Sequence, residues 1–206
     1  MNRKKKIAII NYKAGNIFSI SNSLKYLGYD VHIANSPNEL KTFDYLIIPG
    51  VGSYGYCLSN LKKFNFYNLL KKIFKYEKIP CLCICVGLQI LGQSSEENME
   101  EIGLQKFDFK IKKLLGDSEN KIPHVGWNDV KFINKFEDFQ TKTNYDFYFD
   151  HSYALYSCKN AIAYTNHSKK FVPILKYKNI LACQFHPEKS QENGLMFLKS
   201  FISYYG

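Results

Sequence analysis

A cysteine stands where an apolar run changes into a helical pattern. The run that ends at Ile84 is rich in small and β-branched residues, and from residue 86 to 91 the apolar spacing is typical of a helix. At such a strand-to-helix junction the side chain of Cys85 is directed into a cleft, and the N-terminus of the following helix favours its thiolate. The backbone N–H of Val86 can then donate to an oxyanion. The pattern predicts a nucleophilic thiol.

A histidine and a glutamate two residues apart supply a candidate base. His186 and Glu188 follow a predicted strand, and Pro187 stiffens the backbone between them. A basic imidazole needs a carboxylate partner, because the carboxylate fixes its tautomer and stabilises the imidazolium. Together with Cys85, the two residues predict a nucleophile, its base and the group that orients the base. The chain has 5 histidines, so the proximity of His186 to Cys85 is a hypothesis.

Glycines near two of the predicted strand ends suit a site of this kind. In Pro49-Gly50-Val51-Gly52 the two glycines make an adaptable backbone, which is typical either of a plain turn or of a second source of oxyanion donors. Gly87, two residues after the cysteine, would let the new helix pack close to the sheet.

Strands and helices alternate in the first half of the chain, which predicts a doubly wound α/β fold around a mostly parallel sheet. In such sheets sites form at the carboxyl ends of strands, and the candidate residues follow predicted strands. The predicted strands are residues 6–10, 29–34, 45–48 and 81–84, and the predicted helices are 17–27, 58–76 and the segment after residue 85.

The second half predicts antiparallel strands added to that sheet, followed by a closing helix. The predicted strands are short and separated by turn residues, and a polar, acidic connection at 94–101 joins the two halves. No repeat or domain boundary is evident, so one domain is expected over residues 1–206. The strands are predicted at 105–114, 129–133, 145–149, 161–165, 172–176 and 180–185, and the helix at 191–204.

The composition indicates an ordinary globular protein. The chain has 206 residues, 46% of them hydrophobic, and no stretch approaches the roughly 20 apolar residues that cross a bilayer. The basic N-terminus is followed by an apolar run at 7–10 only, which is too short for the core of a signal peptide. We therefore expect a cytoplasmic protein with no membrane association.

The cysteines predict neither disulfides nor a metal. The chain has 6, and those at positions 81, 83 and 85 crowd together in a way that is unlike a disulfide framework. Alternation along a strand points these three side chains the same way from one short segment, which is poor geometry for a tetrahedral zinc site. We expect no metal and no cofactor.

The net charge of +10 raises the hypothesis of a nucleic-acid surface. The lysines are scattered over predicted helices and loops, as a composition bias would produce, and no basic-aromatic motif of the RNA-binding type is present. We expect no nucleic-acid partner, while a basic face that docks an acidic protein stays open.

The combined motifs resemble the class I (triad) glutamine amidotransferases. The stretch from Cys83 to Gln89 and the stretch from Gln184 to Glu188 carry that resemblance. Within the class, the resemblance to the glutaminase subunit of imidazole glycerol phosphate synthase is carried by the segment Pro123-His124-Val125-Gly126-Trp127-Asn128. Further similar segments are 11–16, 49–52, 148–153 and 187–190, so that the resemblance covers nearly the whole chain.

The resemblance implies a thioester mechanism. Cys85 attacks the side-chain amide of glutamine, His186 takes the thiol proton and later donates to the leaving ammonia, and Glu188 orients His186. Water then hydrolyses the glutamyl thioester to glutamate. The residues implied to bind substrate are Gly50, Val51 and Gly52 as the oxyanion strand, Val86 as a donor, Gln89, and Ser152 and Tyr153 in the glutamine pocket.

The resemblance also implies a partner. The ammonia passes to a separate (β/α)8-barrel cyclase subunit, which forms imidazole glycerol phosphate and aminoimidazole carboxamide ribotide in histidine biosynthesis, so a heterodimer is expected. Asn16, Trp127 and Lys189 match positions at or near that interface. From the residues alone they are equally a turn residue, a core or surface aromatic and a solvated lysine.

Three residues depart from the family pattern. Cys83 stands where the elbow usually begins with glycine, which predicts some strain and a second thiol near the nucleophile. Lys13 replaces a glycine near the expected interface, and Asp150 replaces an apolar residue. The departures at Lys13 and Asp150 leave open a paralogous glutaminase that serves amidation of a surface sugar. An alternative of another class is a non-catalytic binding subunit.

Overall fold

The computed structural model describes residues 5–40, 42–141 and 143–206, and its centre is a nine-stranded sheet. The first half of the chain supplies four parallel strands in the order β2-β1-β3-β4. Its elements are β1 (Lys6–Ile10), α1 (Ile17–Tyr26), β2 (Asp30–Ala34), β3 (Tyr45–Ile48), α2 (Tyr54–Lys63), α3 (Phe66–Tyr76), β4 (Cys81–Ile84) and α4 (Val86–Gln89), with a 3-10 turn at Pro37–Glu39.

The second half extends the sheet with mainly antiparallel strands. Strand β12 (Ile180–Cys183) lies parallel to β4, and the strands beyond it continue antiparallel in the order β11, β10, β7 and β8. The other elements are β5 (Ser94–Ser95), β6 (Lys110–Lys113), β7 (His124–Phe132), β8 (Asn144–His151), β9 (Tyr153–Ala154), β10 (Ala161–His167), β11 (Lys169–Tyr177) and α5 (Gln191–Tyr204).

Burial explains why the two halves look different in sequence. Strands β3 and β4 are buried at every position, as expected for parallel strands that are covered on both faces. Strands β7 and β8 instead mix buried and exposed positions, because parts of this region face solvent. The predicted α/β class, with a parallel part and added antiparallel strands, is confirmed, and so is the closing helix at Gln191–Tyr204.

Residues 58–76 were predicted as one helix, and this is wrong. Helix α2 begins at Tyr54, where the Ser53 hydroxyl accepts a hydrogen bond from the Tyr56 N–H, and it ends at Lys63. Asn65 then adopts a left-handed conformation with φ 62°, and α3 starts after it. Asparagine tolerates this conformation, so the break leaves little trace in the hydrophobic pattern.

Several other boundaries also differ from the prediction. The predicted strand at 105–114 shrinks to β6, since Gln105 has a left-handed φ of 55°. The predicted strand at 129–133 is the end of the longer β7, and the acidic connection contains the short β5, which pairs with β6 and, through it, with β9 in a second sheet. Among the described residues, no helix combines the length and apolar character needed to cross a bilayer.

Candidate active site

Cys85 occupies a sharp turn between β4 and α4. Its backbone has φ 54° and ψ −111°, a conformation that costs a residue with a side chain on the order of 1–3 kcal/mol. Its N–H is held by the Cys183 carbonyl at 2.7 Å. The predicted role of Gly87 is confirmed: a Cβ there would lie 2.3 Å from the Ile48 carbonyl oxygen. Tight packing of α4 on the sheet thus fixes the turn that presents the thiol.

The strain of this turn falls on Cys85, and the expectation of strain at Cys83 is wrong. Cys83 belongs to β4, is completely buried and has no left-handed φ. Burial raises the pKa of its thiol well above the usual value, so the side chain stays neutral in the core. A position of this kind does not require glycine.

His186 and Glu188 are paired beside the cysteine. The His186 Nδ1 lies 2.9 Å from Glu188 Oε1, and both side chains are almost fully buried. The 3-10 turn Pro187–Lys189 brings the carboxylate back toward the ring, while the His186 N–H donates to the Tyr148 carbonyl at 2.8 Å. Asn16 donates a second hydrogen bond, also of 2.9 Å, to the same Glu188 oxygen. The imidazole is therefore held in one orientation by its neighbours.

The electrostatics of His186 favour its charged form. Burial alone lowers the pKa of His186, but attraction to the Cys85 sulfur and a hydrogen bond with it, together with the Glu188 carboxylate, outweigh burial and raise the pKa. A protonated imidazole next to the sulfur is the arrangement that supports a thiolate–imidazolium pair.

Cys85 and His186 border a cavity of about 210 Å³, and Glu188 lies behind His186. It contains most of the side chains that the sequence singled out for substrate, and larger surface grooves elsewhere among the described residues lack the cysteine–histidine pair. The lining residues are Val51, Gly52, Cys85, Val86, Gln89, Glu97, Pro123, Asp150, His151, Ser152, Tyr153 and His186.

The glycine segment packs directly against the cysteine turn. A Cβ at Gly50 would lie 2.5 Å from the backbone nitrogen of Gly87, so this close approach requires glycine, and Gly52 has a left-handed φ of 101°. The Val86 N–H donates to the Gly50 carbonyl at 3.4 Å. Since this donor already has a partner, its predicted role toward an oxyanion stays a prediction.

Comparisons with known proteins agree with this geometry. The family described as "Glutamine amidotransferase class-I" matches residues 8–203. The chain belongs to the class I glutamine amidotransferases. Two curated relatives are the imidazole glycerol phosphate synthase subunit HisH 2 of Methanococcus maripaludis, 40% identical, and subunit HisH 1 of Campylobacter jejuni, 38% identical. Each alignment covers 95% of this chain and 98% of the relative.

Two solved structures share the fold of this chain. A structure titled "Crystal structure of glutamine amidotransferase" has a TM-score of 0.76 at 14% identity and covers 97% of this chain and 98% of its own. The "Structure of PurLQS from Thermotoga maritima" has a TM-score of 0.75 at 19% identity and covers 99% of this chain and 100% of its own. At these identities the likeness concerns the fold alone.

The residues predicted at a partner interface lie in two environments. Trp127 is 47% exposed and packs edge-on against Tyr148, and the Lys189 ammonium lies 5.1 Å from the centre of the same ring. These three form one surface cluster, here called the tryptophan cluster, next to the histidine–glutamate pair. Asn16 instead directs its amide to Glu188, so the structure gives it a contact inside the amidotransferase site.

Sequence reasoning gave no role in the site to Glu97 and Gln184, nor to Pro123 and His151 of the cavity lining. Glu97 borders the cavity and accepts a 2.7 Å hydrogen bond from the Tyr54 N–H at the start of α2. Its only sequence signal was the acidic character of the connection that contains it. Gln184 stood in the quoted motif without a role, although its amide nitrogen lies 3.5 Å from the Cys85 sulfur.

Two of the departures from the family pattern have structural consequences. Lys13 replaces glycine at a left-handed position with φ 64°, where a side chain costs on the order of 1 kcal/mol. Asp150 borders the cavity and is exposed, and its carbonyl oxygen lies 4.0 Å from the Cys85 sulfur. In the described part of the chain, no group of histidine, cysteine and acidic side chains has the arrangement of a metal site.

Proposed function

We propose that this amidotransferase is the glutaminase subunit of an imidazole glycerol phosphate synthase. It hydrolyses glutamine to glutamate and delivers the ammonia to a (β/α)8 cyclase subunit, which makes imidazole glycerol phosphate and aminoimidazole carboxamide ribotide. The observation that carries the chemistry is the buried His186–Glu188 pair beside Cys85. The names of the curated relatives support the pathway.

In the proposed reaction the Cys85 sulfur attacks the side-chain carbonyl of glutamine. His186 holds the thiol proton as imidazolium and transfers it to the departing nitrogen, so that ammonia leaves and a glutamyl thioester remains. His186 then takes a proton from water, which attacks the thioester and releases glutamate. Glu188, held by Asn16, keeps the ring in the tautomer that this exchange needs.

The cavity also suits the charged end of glutamine. Glu97 and Asp150 are the acidic side chains in its lining, and we assign the α-ammonium group to Glu97, whose carboxylate is anchored at the start of α2. Among the described residues the lining contains no lysine or arginine, so the α-carboxylate is expected to bind backbone N–H groups around Val51, Ser152 and Tyr153. A site with a carboxylate for the ammonium group and backbone N–H groups for the carboxylate favours a zwitterionic amino acid over a ligand with two negative charges.

The partner assignment extends the proposal beyond the chain. We place the cyclase on the tryptophan cluster, because it is exposed and lies next to the histidine–glutamate pair of the candidate site. A single domain over residues 1–206, a heterodimer and a cytoplasmic location belong to the same proposal.

The deciding experiment measures glutamate release by the purified chain alone, with a (β/α)8 cyclase, and with the cyclase plus its ribotide substrate. We expect release to rise strongly with each addition, and Cys85→Ser to abolish it. Activation only by a sugar-amidating synthetase would move the assignment to the paralogous pathway and leave the triad intact. No release under any condition, together with no labelling of Cys85 by a glutamine analogue, would favour a non-catalytic subunit.

A further inference from the structure

Gln184 is a completely buried amide between Cys85 and Gln89. It follows β12, and its backbone N–H donates to the Pro173 carbonyl at 2.8 Å, which fixes the residue in place. Its side-chain nitrogen lies 3.5 Å from the Cys85 sulfur, and its side-chain oxygen accepts from the Gln89 amide at 3.1 Å. Both ends of the amide are therefore engaged inside the site.

A backbone carbonyl determines the direction of these hydrogen bonds. The Tyr153 carbonyl, which can only accept, lies 3.0 Å from the Gln89 amide nitrogen. Gln89 must therefore present its amino group on that side, and the same group meets Gln184. Gln184 must in turn present its oxygen to Gln89, so its own amino group faces the sulfur. With the Gln184 amide reversed, two donors would face each other at the contact with Gln89, and the sulfur would face an acceptor oxygen.

We infer that Gln184 is a positioning residue that donates an N–H to the Cys85 sulfur and favours the thiolate, with Gln89 and the Tyr153 carbonyl fixing the direction of that donation. The inference rests on the proposed function insofar as Cys85 is the nucleophile. An N–H hydrogen bond is stronger to a charged acceptor than to a neutral one, so it lowers the cost of ionising the thiol.

This role differs from that of His186. The imidazole gives up its proton to the departing ammonia, after which it no longer supports a negative sulfur. An amide proton is not transferred, so Gln184 holds the sulfur through attack and thioester breakdown alike. A second consequence concerns Gln89: both of its N–H donors are used within the protein, so it must meet glutamine through its carbonyl oxygen.

Few other titratable groups around the Cys85 sulfur can change charge near neutral pH and so alter its alkylation profile. Burial raises the pKa of Tyr12 and Cys183 well above their usual values and that of Cys57 to about 12, so these groups stay neutral near pH 7. His186 is the group whose ionisation is coupled to that of the sulfur. The remaining charged or titratable neighbours are Glu97, Asp150, His151 and Tyr153 in the cavity lining, and Glu188 behind His186.

The test is the pH dependence of Cys85 alkylation by iodoacetamide on the full chain, with the modified peptide identified by mass spectrometry. Gln184→Met keeps the side-chain length and removes the donor. We expect the midpoint of its pH profile to rise by about one unit, with about tenfold slower alkylation at pH values below both midpoints and an unchanged plateau at high pH. Gln93→Met is the control, since Gln93 donates to Asp108 at 2.7 Å and lies outside the cavity lining.

Gln89→Met gives a second and independent measurement, because Gln89 has no hydrogen bond to the sulfur. Loss of its amide frees Gln184 to turn, so we expect a smaller upward shift of the midpoint. The double variant should show no shift beyond that of Gln184→Met. A Gln184→Met midpoint equal to the wild-type value overturns the inference, as does a shift in Gln89→Met that adds fully to that of Gln184→Met.

A purely structural role for Gln184 gives a different result, namely a lower plateau or melting temperature with the midpoint unchanged, and it also overturns the inference. Failure of the proposed function is separable from these outcomes. That failure would be the absence of glutamate release in the presence of the cyclase partner. The alkylation profile requires neither the partner nor glutamine.

Discussion

At the residue scale, the chemistry depends on which of several cysteines is bent out of the sheet. Cys83 and Cys85 are two positions apart and both are buried, yet only Cys85 has the left-handed backbone and borders the cavity. The hydrogen bond from its N–H to the Cys183 carbonyl and the packing of Gly87 on β3 enforce that difference. Two thiols of identical chemistry therefore lie in different environments.

A matched pair of alanine variants tests this difference. We expect Cys85→Ala to lower glutamate release by on the order of 10³-fold or more, because the thioester cannot form. Cys83→Ala removes a buried thiol from β4, so it should cost about 1 kcal/mol of stability and retain the reaction. Glutamate release with the partner and urea unfolding of both variants are the measurements. Equal loss of activity in the two variants would contradict the assignment of the nucleophile.

At the element scale, the site exists because α4 approaches the sheet as closely as backbone allows. Gly50 packs against Gly87, and Gly87 packs against Ile48, with no room for a side chain on either glycine. The short helix therefore starts directly above the ends of β3 and β4, which is where the carboxyl ends of parallel strands form a crevice.

Gly87→Ala is predicted to damage both the fold and the site. Its Cβ would lie 2.3 Å from the Ile48 carbonyl oxygen, so α4 must shift, at a cost of about 1–3 kcal/mol or more. Gly28→Ala is the control: Gly28 has a φ of 87° but open space around its Cβ, so only the backbone cost of about 1 kcal/mol applies. Urea unfolding measures the stabilities, and Cys85 alkylation should slow in the Gly87 variant alone. Unchanged alkylation in that variant would show that α4 does not set the thiol's geometry.

At the scale of the whole molecule, we propose that the cyclase binds the tryptophan cluster beside the candidate active site. Trp127→Ala is expected to weaken binding of the cyclase by about 2 kcal/mol, or roughly 30-fold in Kd, as for a central aromatic contact. Ile133→Ala is a suitable control, since Ile133 is 47% exposed like Trp127 but lies beyond the end of β7. Calorimetric titration measures both. Equal affinities for the two variants would place the partner elsewhere.

A buried group of histidines makes the fold sensitive to acid. Burial lowers the pKa of His124 to about 4 and that of His151 to about 3, and the two rings are 3.0 Å apart between nitrogens. Below about pH 6.5 the unfolded chain binds more protons than the folded one. The free energy of unfolding therefore decreases as the pH is lowered. The raised pKa of His186 does not reverse this, because its contribution is complete below the unfolded value.

The expected slope is at most about 1.4 kcal/mol per pH unit for each histidine between pH 6.5 and 4. Urea unfolding at intervals across this range measures it, and His151→Phe should flatten the curve by removing one titration. His32→Gln serves as the comparison, because the His32 side chain is 48% exposed. A curve for His151→Phe that runs parallel to wild type would contradict the role of burial.

The sequence by itself determined the fold class, the parallel and antiparallel halves, and the motifs around Cys85 and His186. These follow from local patterns: the periodicity of the hydrophobic residues, the turn residues between strands and helices, and the residue types at the motifs. Local patterns also gave a wrong helix boundary at Asn65. This residue tolerates a left-handed backbone and divides the predicted helix without interrupting its apolar periodicity.

Only the tertiary structure decided which side chains meet. Asn16 and Glu188 are far apart in the chain and share a 2.9 Å hydrogen bond, and Gln184 reaches the Cys85 sulfur across two neighbouring strands. Likewise Glu97 borders the cavity because the connection that carries it packs onto α2. Contacts between distant segments depend on the order of the strands in the sheet and on the packing of its loops. These distances in space cannot be inferred from the spacing of residues along the chain.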